Sequence, residues 1–546
     1  MRALGVSDRL AFENSIDKKS GVKLPRESVR LRLCPDVRTP NAVSSRRLVA
    51  RLRSWYGLGG LLLVSLTTPR LSAAINIGWA EQDITPKQPV LIAGQFHARV
   101  SEGILDPITA TVLVLESGGE QVTWVSCDLV GIANALRDGV RARLAGHPGL
   151  NPNKVILHAT HSHTGPDLRP DAEIPGLPLK VMPTAELVTF TADLIAQAVI
   201  RAWDSRAPGG ISFGLGHAVV GRNRRSVDDK GTSTMYADVG REGFSHIEGF
   251  EDHDLNLLAT YDQQGALTGL VANLACPAQV TESLFSLSAD FWHDTRVELR
   301  RRLGAKLFVA AQCSTAGDIA PHFDTKSSYN AKPALRMLKL KQRTVRQEIA
   351  HRLANATEEV LPLIAPTIET NPVLRHRVET LALPLNRLTE SDVAEAEKER
   401  QIWGNRYETE KAKLAVPPPP TAGRWYVAIS GAYGRMRWNE QVRERFERQK
   451  TQPTRAEEIH VVRLGDVAFA TNPFEYYLDY GIQIKAKSPA TQTFLVQLAG
   501  SGSYVSSPRA IAGGGYGSQP QSNPVGAEGG GMLRKKTSEF IAELWK

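Results

Sequence analysis

The chain has 546 residues, of which 42% are hydrophobic and 23% charged, with four cysteines. This suits one large globular domain or two to three average ones, and it excludes a disordered, collagen-like or disulfide-framed chain. The net charge of +9 does not indicate a nucleic-acid partner: residues 1–74 hold 14 Lys/Arg against 5 Asp/Glu, which is the whole excess.

That basic stretch reads as a leader. Arg46, Arg47, Arg51 and Arg53 precede a short apolar run over 56–66, and Ser72-Ala73-Ala74 offers a small-x-small cleavage site. The pattern predicts a signal peptide cut near Ala74 and export to the periplasm or beyond. A retained N-terminal anchor is the alternative, although the run is short for a membrane span. Residues 1–44 carry no clear pattern. Cys34 goes with the leader, and Cys127 and Cys313 read as plain buried thiols.

From Ile75 onward strands and helices alternate within what reads as a single domain, 75–546. Residues 110–116 and 122–128 form a hairpin turned at Gly118-Gly119, and 134–145 a helix. The apolar run Val155-Ile156-Leu157 is a short buried strand leading to His158, His161 and His163 and then a Gly165-Pro166 turn. On a strand His161 and His163 would share one face, and two imidazoles fixed there suit a divalent ion such as zinc. Polar strand-end residues bonded to backbone are the plain alternative.

Residues 184–205 read as a long helix, and 211–220 as a strand entering a polar loop, 221–226. A second hairpin spans 255–262 and 267–276. Ser288-Ala289-Asp290 opens a helix to Leu303, with Ser288 or Asp290 as its cap. An apolar strand over 307–313 precedes Gly317-Asp318-Ile319-Ala320-Pro321. Helices at 334–354, 392–414 and 434–449, with a stiff linker at 417–420, read as an insertion over about 330–450. Strands follow at 460–464, 467–471 and 492–498. Gly513-Gly514-Gly515 and Gly529-Gly530-Gly531 read as flexible loops. The order suggests an α/β core, a mixed sheet flanked by helices.

Thr160-His161-Ser162-His163-Thr164-Gly165-Pro166 resembles the T-H-T-H-S-G-P motif of the neutral/alkaline ceramidase family, zinc-dependent amidases of secreted or cell-surface location. Ile77-Gly78-Trp79-Ala80-Glu81-Gln82-Asp83-Ile84-Thr85-Pro86 resembles that family's G-x-A-x-x-D-I-T-P opening, and Gly317-Asp318-Ile319-Ala320-Pro321 its G-D-V-S-P. The likeness runs from about Ile75 to the C-terminus. It implies the family's catalytic domain, with no room after Trp545 for its C-terminal immunoglobulin-like domain.

The resemblance also implies a site. One zinc would be held by His161, by Glu475 in Asn472-Pro473-Phe474-Glu475, by Tyr504, and by Cys276, which stands where the family has a ligating histidine. Thiolate is a competent zinc ligand; alternatively Cys276 is a small core residue and the site is one ligand short. His163, Arg224 (beside Asn223), Asp318 and Tyr516 match residues near substrate or chemistry. A solvated basic loop is the plain reading of Arg224, and turn formation that of Asp318. The family's catalytic serine is replaced by Ala320, which has no hydroxyl to attack or donate. The expectation is therefore an exported zinc-dependent hydrolase of amide or ester bonds. It would act on a small-molecule or lipid-like substrate, with no nucleic-acid partner and no stable membrane span. The alternative is a non-catalytic metal- or ligand-binding member of the same fold.

Overall fold

The computed structural model describes residues 74–414 and 423–546. The expected leader up to Ala73 and the 417–420 linker lie outside them. Eight strands form a mixed sheet in the spatial order Phe308–Cys313, Leu267–Leu274, Asp254–Asp262, Ala207–His217, Asn76–Asp83, Thr109–Ser117, Glu120–Cys127, Val155–Ala159. The outermost pair at each end is parallel and the inner pairs are antiparallel. Both expected hairpins are present. The first turns at Gly118 and Gly119, both at positive φ, where a residue with a Cβ would be strained.

Among the described residues ten helices follow in chain order: α1 (Asn134–Leu144), α2 (Thr184–Asp204), α3 (Phe291–Leu303), α4 (Ala331–Lys341), α5 (Val345–Ile364), α6 (Glu390–Leu414), α7 (Tyr426–Arg448), α8 (Leu478–Lys487), α9 (Pro508–Gly513) and α10 (Gly526–Leu544). Strand alternation decides what each covers. Val112 and Val114 face α1 and α2 through Leu136, Val140, Leu187 and Ile195. Their neighbours Leu113 and Leu115 face the other way, onto Val462, Val467, Phe469 and Phe494 of a second sheet. Leu257, Leu270 and Val309 pack likewise against α3 and α5. The second sheet orders Leu374–Pro384, Thr454–Leu464, Val467–Thr471 and Gln492–Val496, and α8 and α10 cover its far side through Tyr480, Ile484, Leu533 and Ile541. The packing order is thus helix, sheet, sheet, helix. Each fully buried aromatic between the sheets, such as Phe469 at 4.5 Å from Phe494, contributes roughly 1.5–3 kcal/mol of apolar burial.

Three elements differ from the sequence reading. The single helix expected over 334–354 is two, because Gln342 adopts a left-handed conformation and Thr344 with Gln347 builds a capping box that restarts the helix as α5. The region expected as a helical insertion contains the Leu374–Pro384 strand, whose eleven residues all pair with Thr454–Leu464. Gly529, Gly530 and Gly531 lie inside α10 rather than in a loop. A Cβ on Gly530 would meet Val505 at 2.6 Å and the Tyr480 hydroxyl at 2.8 Å, and one on Gly529 would meet Pro384 O at 2.7 Å, so close packing requires these two glycines, whereas Gly531 faces open space. Asp290 caps α3 as expected, accepting from Phe291 N at 2.6 Å. Among the described residues no helix is long and apolar enough to cross a membrane.

Candidate active site

The Val155–Ala159 strand ends one residue before the histidine loop, and a buried ion pair fixes that end. Arg296 from α3 grips the Asp128 carboxylate at 2.7 and 3.0 Å, and Asp128 also accepts from Thr109 N at 3.0 Å, Thr109 Oγ1 at 2.8 Å and Thr160 Oγ1 at 3.4 Å. His161 then takes φ 65°, a conformation uncommon outside glycine. Strand alternation therefore does not bring His161 and His163 together; a left-handed turn does, leaving their Nε2 atoms 3.2 Å apart. Buried Arg99 braces the loop by donating to the carbonyl of His163 at 2.5 Å. Gly94 lies flat against the His163 ring, where a Cβ would come within 2.6 Å.

The second sheet delivers the next two side chains. Past its strands, Glu475–Tyr476 and Tyr504–Val505 pair in parallel with Glu475 opposite Tyr504. Glu475 Oε2 lies 3.3 Å from His161 Nε2 and 3.7 Å from Arg224 Nη2. Burial alone would raise the Glu475 carboxyl; His161, Arg224 and the Tyr504 hydroxyl instead hold it below the ordinary carboxylate range. Arg224, buried beside the Arg222–Asn223 strand, donates to Gln279 Oε1 at 3.3 Å, Gly317 O at 2.9 Å, Tyr504 Oη at 3.2 Å and the Tyr236 hydroxyl.

Donor and acceptor roles follow from which groups can only give or only take. The Val130 carbonyl can only accept, so His161 Nδ1, 2.6 Å away, carries the proton and Nε2 keeps a lone pair. Arg224 can only donate, so Gln279 turns Oε1 to it and offers its amide N–H to His163 Nε2 at 2.8 Å. His163 Nε2 is then an acceptor too. Burial first, with the charge of Arg224 beside it, holds His163 well below its ordinary value and neutral. Three acceptors therefore face one another: His161 Nε2, His163 Nε2 and Glu475 Oε2. A shared proton, a bridging water or a metal ion between them would make that arrangement favourable.

Among the described residues no three His, Cys, Asp or Glu side chains gather into a ready metal cage. The donor set that does converge is His161 Nε2 and Glu475 Oε2, with the Tyr504 phenolic oxygen bonded to that carboxylate. These are N and O donors of the kind a zinc ion would take, and His161 Nδ1 donates to the Val130 carbonyl as an outer-shell contact would. Cys276 is not brought to this cluster. It sits in the core beneath α3 and α5 and donates to Pro277 O at 3.5 Å. Burial, with Cys313 and Asp290 nearby, pushes its thiol well above the ordinary value.

The remaining expected residues take distinct places. Asp318, pushed up to about 6 by burial, accepts from Asn223 Nδ2 at 2.8 Å and from Leu478 N at the start of α8 at 3.0 Å. It stands behind Arg224, whose backbone N–H it receives at 2.9 Å, rather than among the acceptors. Tyr516, 37% exposed, lies on the outer side of Tyr504 with its ring 5.6 Å from that of Tyr504. Ala320 is buried and pairs with Arg222. Three participants escaped the sequence reading. Gln279 follows Cys276 by three residues, and the histidine-like position drew notice instead. The Tyr236 hydroxyl accepts from Arg224 Nη1, and Glu282 Oε2 stands 3.7 Å from His163 Nδ1; neither sits in a pattern that marks it.

Solved structures with this fold include the neutral ceramidase from Pseudomonas aeruginosa. It matches with a TM-score of 0.59 and 18% identity over 86% of this chain and 74% of that one. A ceramidase complexed with C2 matches with the same score and identity, over 86% and 75%. The chain has a ceramidase-like fold. No family model matches the sequence, and no curated protein matches it.

Proposed function

We propose that this chain is a zinc-dependent hydrolase of amide or ester bonds, ceramidase-like in layout and exported, acting on a small-molecule or lipid-like substrate. The observation that carries the reading is the convergence of His161 Nε2, His163 Nε2 and Glu475 Oε2, three acceptors within 3.2–3.3 Å steps of one another. His161, Glu475 and Tyr504 would hold the ion, which when bound polarises a carbonyl and acidifies water toward about pH 7.

The chain's own residues divide the rest of the work. Arg224 presents N–H donors to a carbonyl oxygen as it gains charge. His163 is neutral with Nε2 as its basic nitrogen, so it takes the proton of an attacking water and returns it to the leaving amine or alcohol. Water adds to the carbonyl carbon, the C–N or C–O bond breaks, and an acid and an amine or alcohol leave. This route uses no hydroxyl at Ala320. Because of Ala320, ceramide ranks below other amides and esters as a substrate.

The second reading, a metal- or ligand-binding protein without turnover, is favoured by that same alanine. Zinc analysis of purified protein, with a broad amide and ester screen, tests both. About one zinc per chain with turnover is expected, both lost in His161→Ala. Full zinc retention in His161→Ala would show that the site is wrongly assigned. Zinc without turnover across the screen would select the binding protein.

A further inference from the structure

We infer that the mouth of this site is shaped for a substrate carrying a carboxylate and an aromatic group, an N-acyl aromatic amino acid or its ester analogue, rather than an uncharged long-chain lipid. The inference rests on the hydrolase reading only for the bond that is cut.

The carrying observation is the wall that α7 builds beside Tyr504. Gly434 on α7 lets the helix touch the loop before it: a Cβ there would sit 2.4 Å from Phe96 O. Ser430 on the same helix accepts from Ala98 N at 3.0 Å. These contacts set Phe96 against Trp438, with ring centroids 5.1 Å apart at 69°. Tyr516 closes the group at 6.1 Å from Phe96 and 5.9 Å from Trp438, and its other side meets Tyr504 at 5.6 Å. Aromatic rings therefore run in contact from a candidate ligand, Tyr504, through partly exposed Tyr516 to Trp438 and Phe96. Rings so arranged offer edges and faces to another flat ring.

Arg435 ends the wall. Its guanidinium lies 4.5 Å from the Phe96 ring and 4.9 Å from the Trp403 ring. Among the described residues it meets no carboxylate, whereas Arg437 and Arg443 on the same helix each pair with a glutamate. Its charge reaches inward, acting on Tyr516 together with those of Glu475 and Arg224. A guanidinium held flat by two rings, with its N–H donors unpaired, is a fork for a carboxylate. An uncharged alkyl chain would leave that cation without a partner. A substrate with an aromatic group and a carboxylate satisfies wall and fork together.

The test is equilibrium binding, which needs no turnover. N-acetyl-L-phenylalanine and its uncharged amide are each titrated into the full-length protein and followed by ligand-observed NMR. The acid is expected to bind about tenfold more tightly than the amide. Arg435→Gln should bring that ratio to about one, and Arg435→Lys should keep part of it because the charge remains. Trp438→Ala should weaken both ligands equally. Equal binding of acid and amide to wild type, or an unchanged ratio in Arg435→Gln, would overturn the inference. Failure of the hydrolase reading would show separately, as missing zinc and missing turnover with the binding ratio intact.

Discussion

His158 lies on the strand that ends at the active-site loop, but its ring faces the core, 6.2 Å from Trp124. Neither ring nitrogen has a hydrogen-bond partner among the described residues. Burial alone drops its pKa to about 3 from an ordinary 6.5. In the unfolded chain the same ring takes up a proton near 6.5, so stability is lost as pH falls from there toward 3. At about 1.4 kcal/mol per unit, this residue removes about 2 kcal/mol of stability by pH 5. His158→Leu is close in volume and has nothing to protonate. At pH 7 it should fall within about 1.5 kcal/mol of wild type. Urea unfolding at pH 7, 6 and 5 should show the difference moving by about 2 kcal/mol in favour of the variant. His376 and His460, also lowered by burial, are present in both proteins and cancel. If the two proteins lose stability in parallel over this range, His158 is not a buried neutral ring and the reasoning fails.

Cys276→Ala should leave zinc content unchanged by metal analysis, since its thiol lies in the α3–α5 core; loss of the ion would place it back among the ligands. Gly94→Ala should push the His163 ring aside, cutting turnover about 100-fold with zinc retained, because His163 is assigned to proton transfer and not to the ion. Gly530→Ala should cost about 1–3 kcal/mol in urea unfolding through overpacking against Val505 and Tyr480.

The layers were legible because hydrophobic periodicity is local. The apolar runs at 112–115, 155–157 and 307–313 announce strands whatever surrounds them. What failed depended on partners distant in sequence. The Leu374–Pro384 strand carries Arg375, Arg377 and Glu379 among its apolar residues, and only pairing with Thr454–Leu464 makes it a strand. The Gly529-Gly530-Gly531 string reads as a loop until Tyr480, Val505 and Pro384 are seen to press on it. At the site, His161, His163, Glu475, Tyr504 and Arg224 were all named from the chain and do converge. The position of Cys276 in its string makes it a candidate ligand, but which way a buried side chain points depends on the core around it. Gln279, three residues later, is the one that reaches His163.

Why residues so far apart in the chain meet has one physical answer. Each lies shortly after a strand ends: His161 after Val155–Ala159, Arg224 after Ala207–His217, Gln279 after Leu267–Leu274, Asp318 after Phe308–Cys313, Glu475 after Val467–Thr471 and Tyr504 after Gln492–Val496. Strands held on both faces are rigid, and the loops that leave them inherit fixed starting points, which is why α/β sheets gather chemistry beyond strand ends. Here two sheets contribute. The large one supplies both histidines, Arg224 and Gln279, and the smaller one supplies Glu475 and Tyr504. The acceptor cluster therefore forms only when the sheets are docked, and the Trp124–Phe469 contact at 5.1 Å that joins them sets the spacing of His161 and Glu475 as surely as either residue's own loop does.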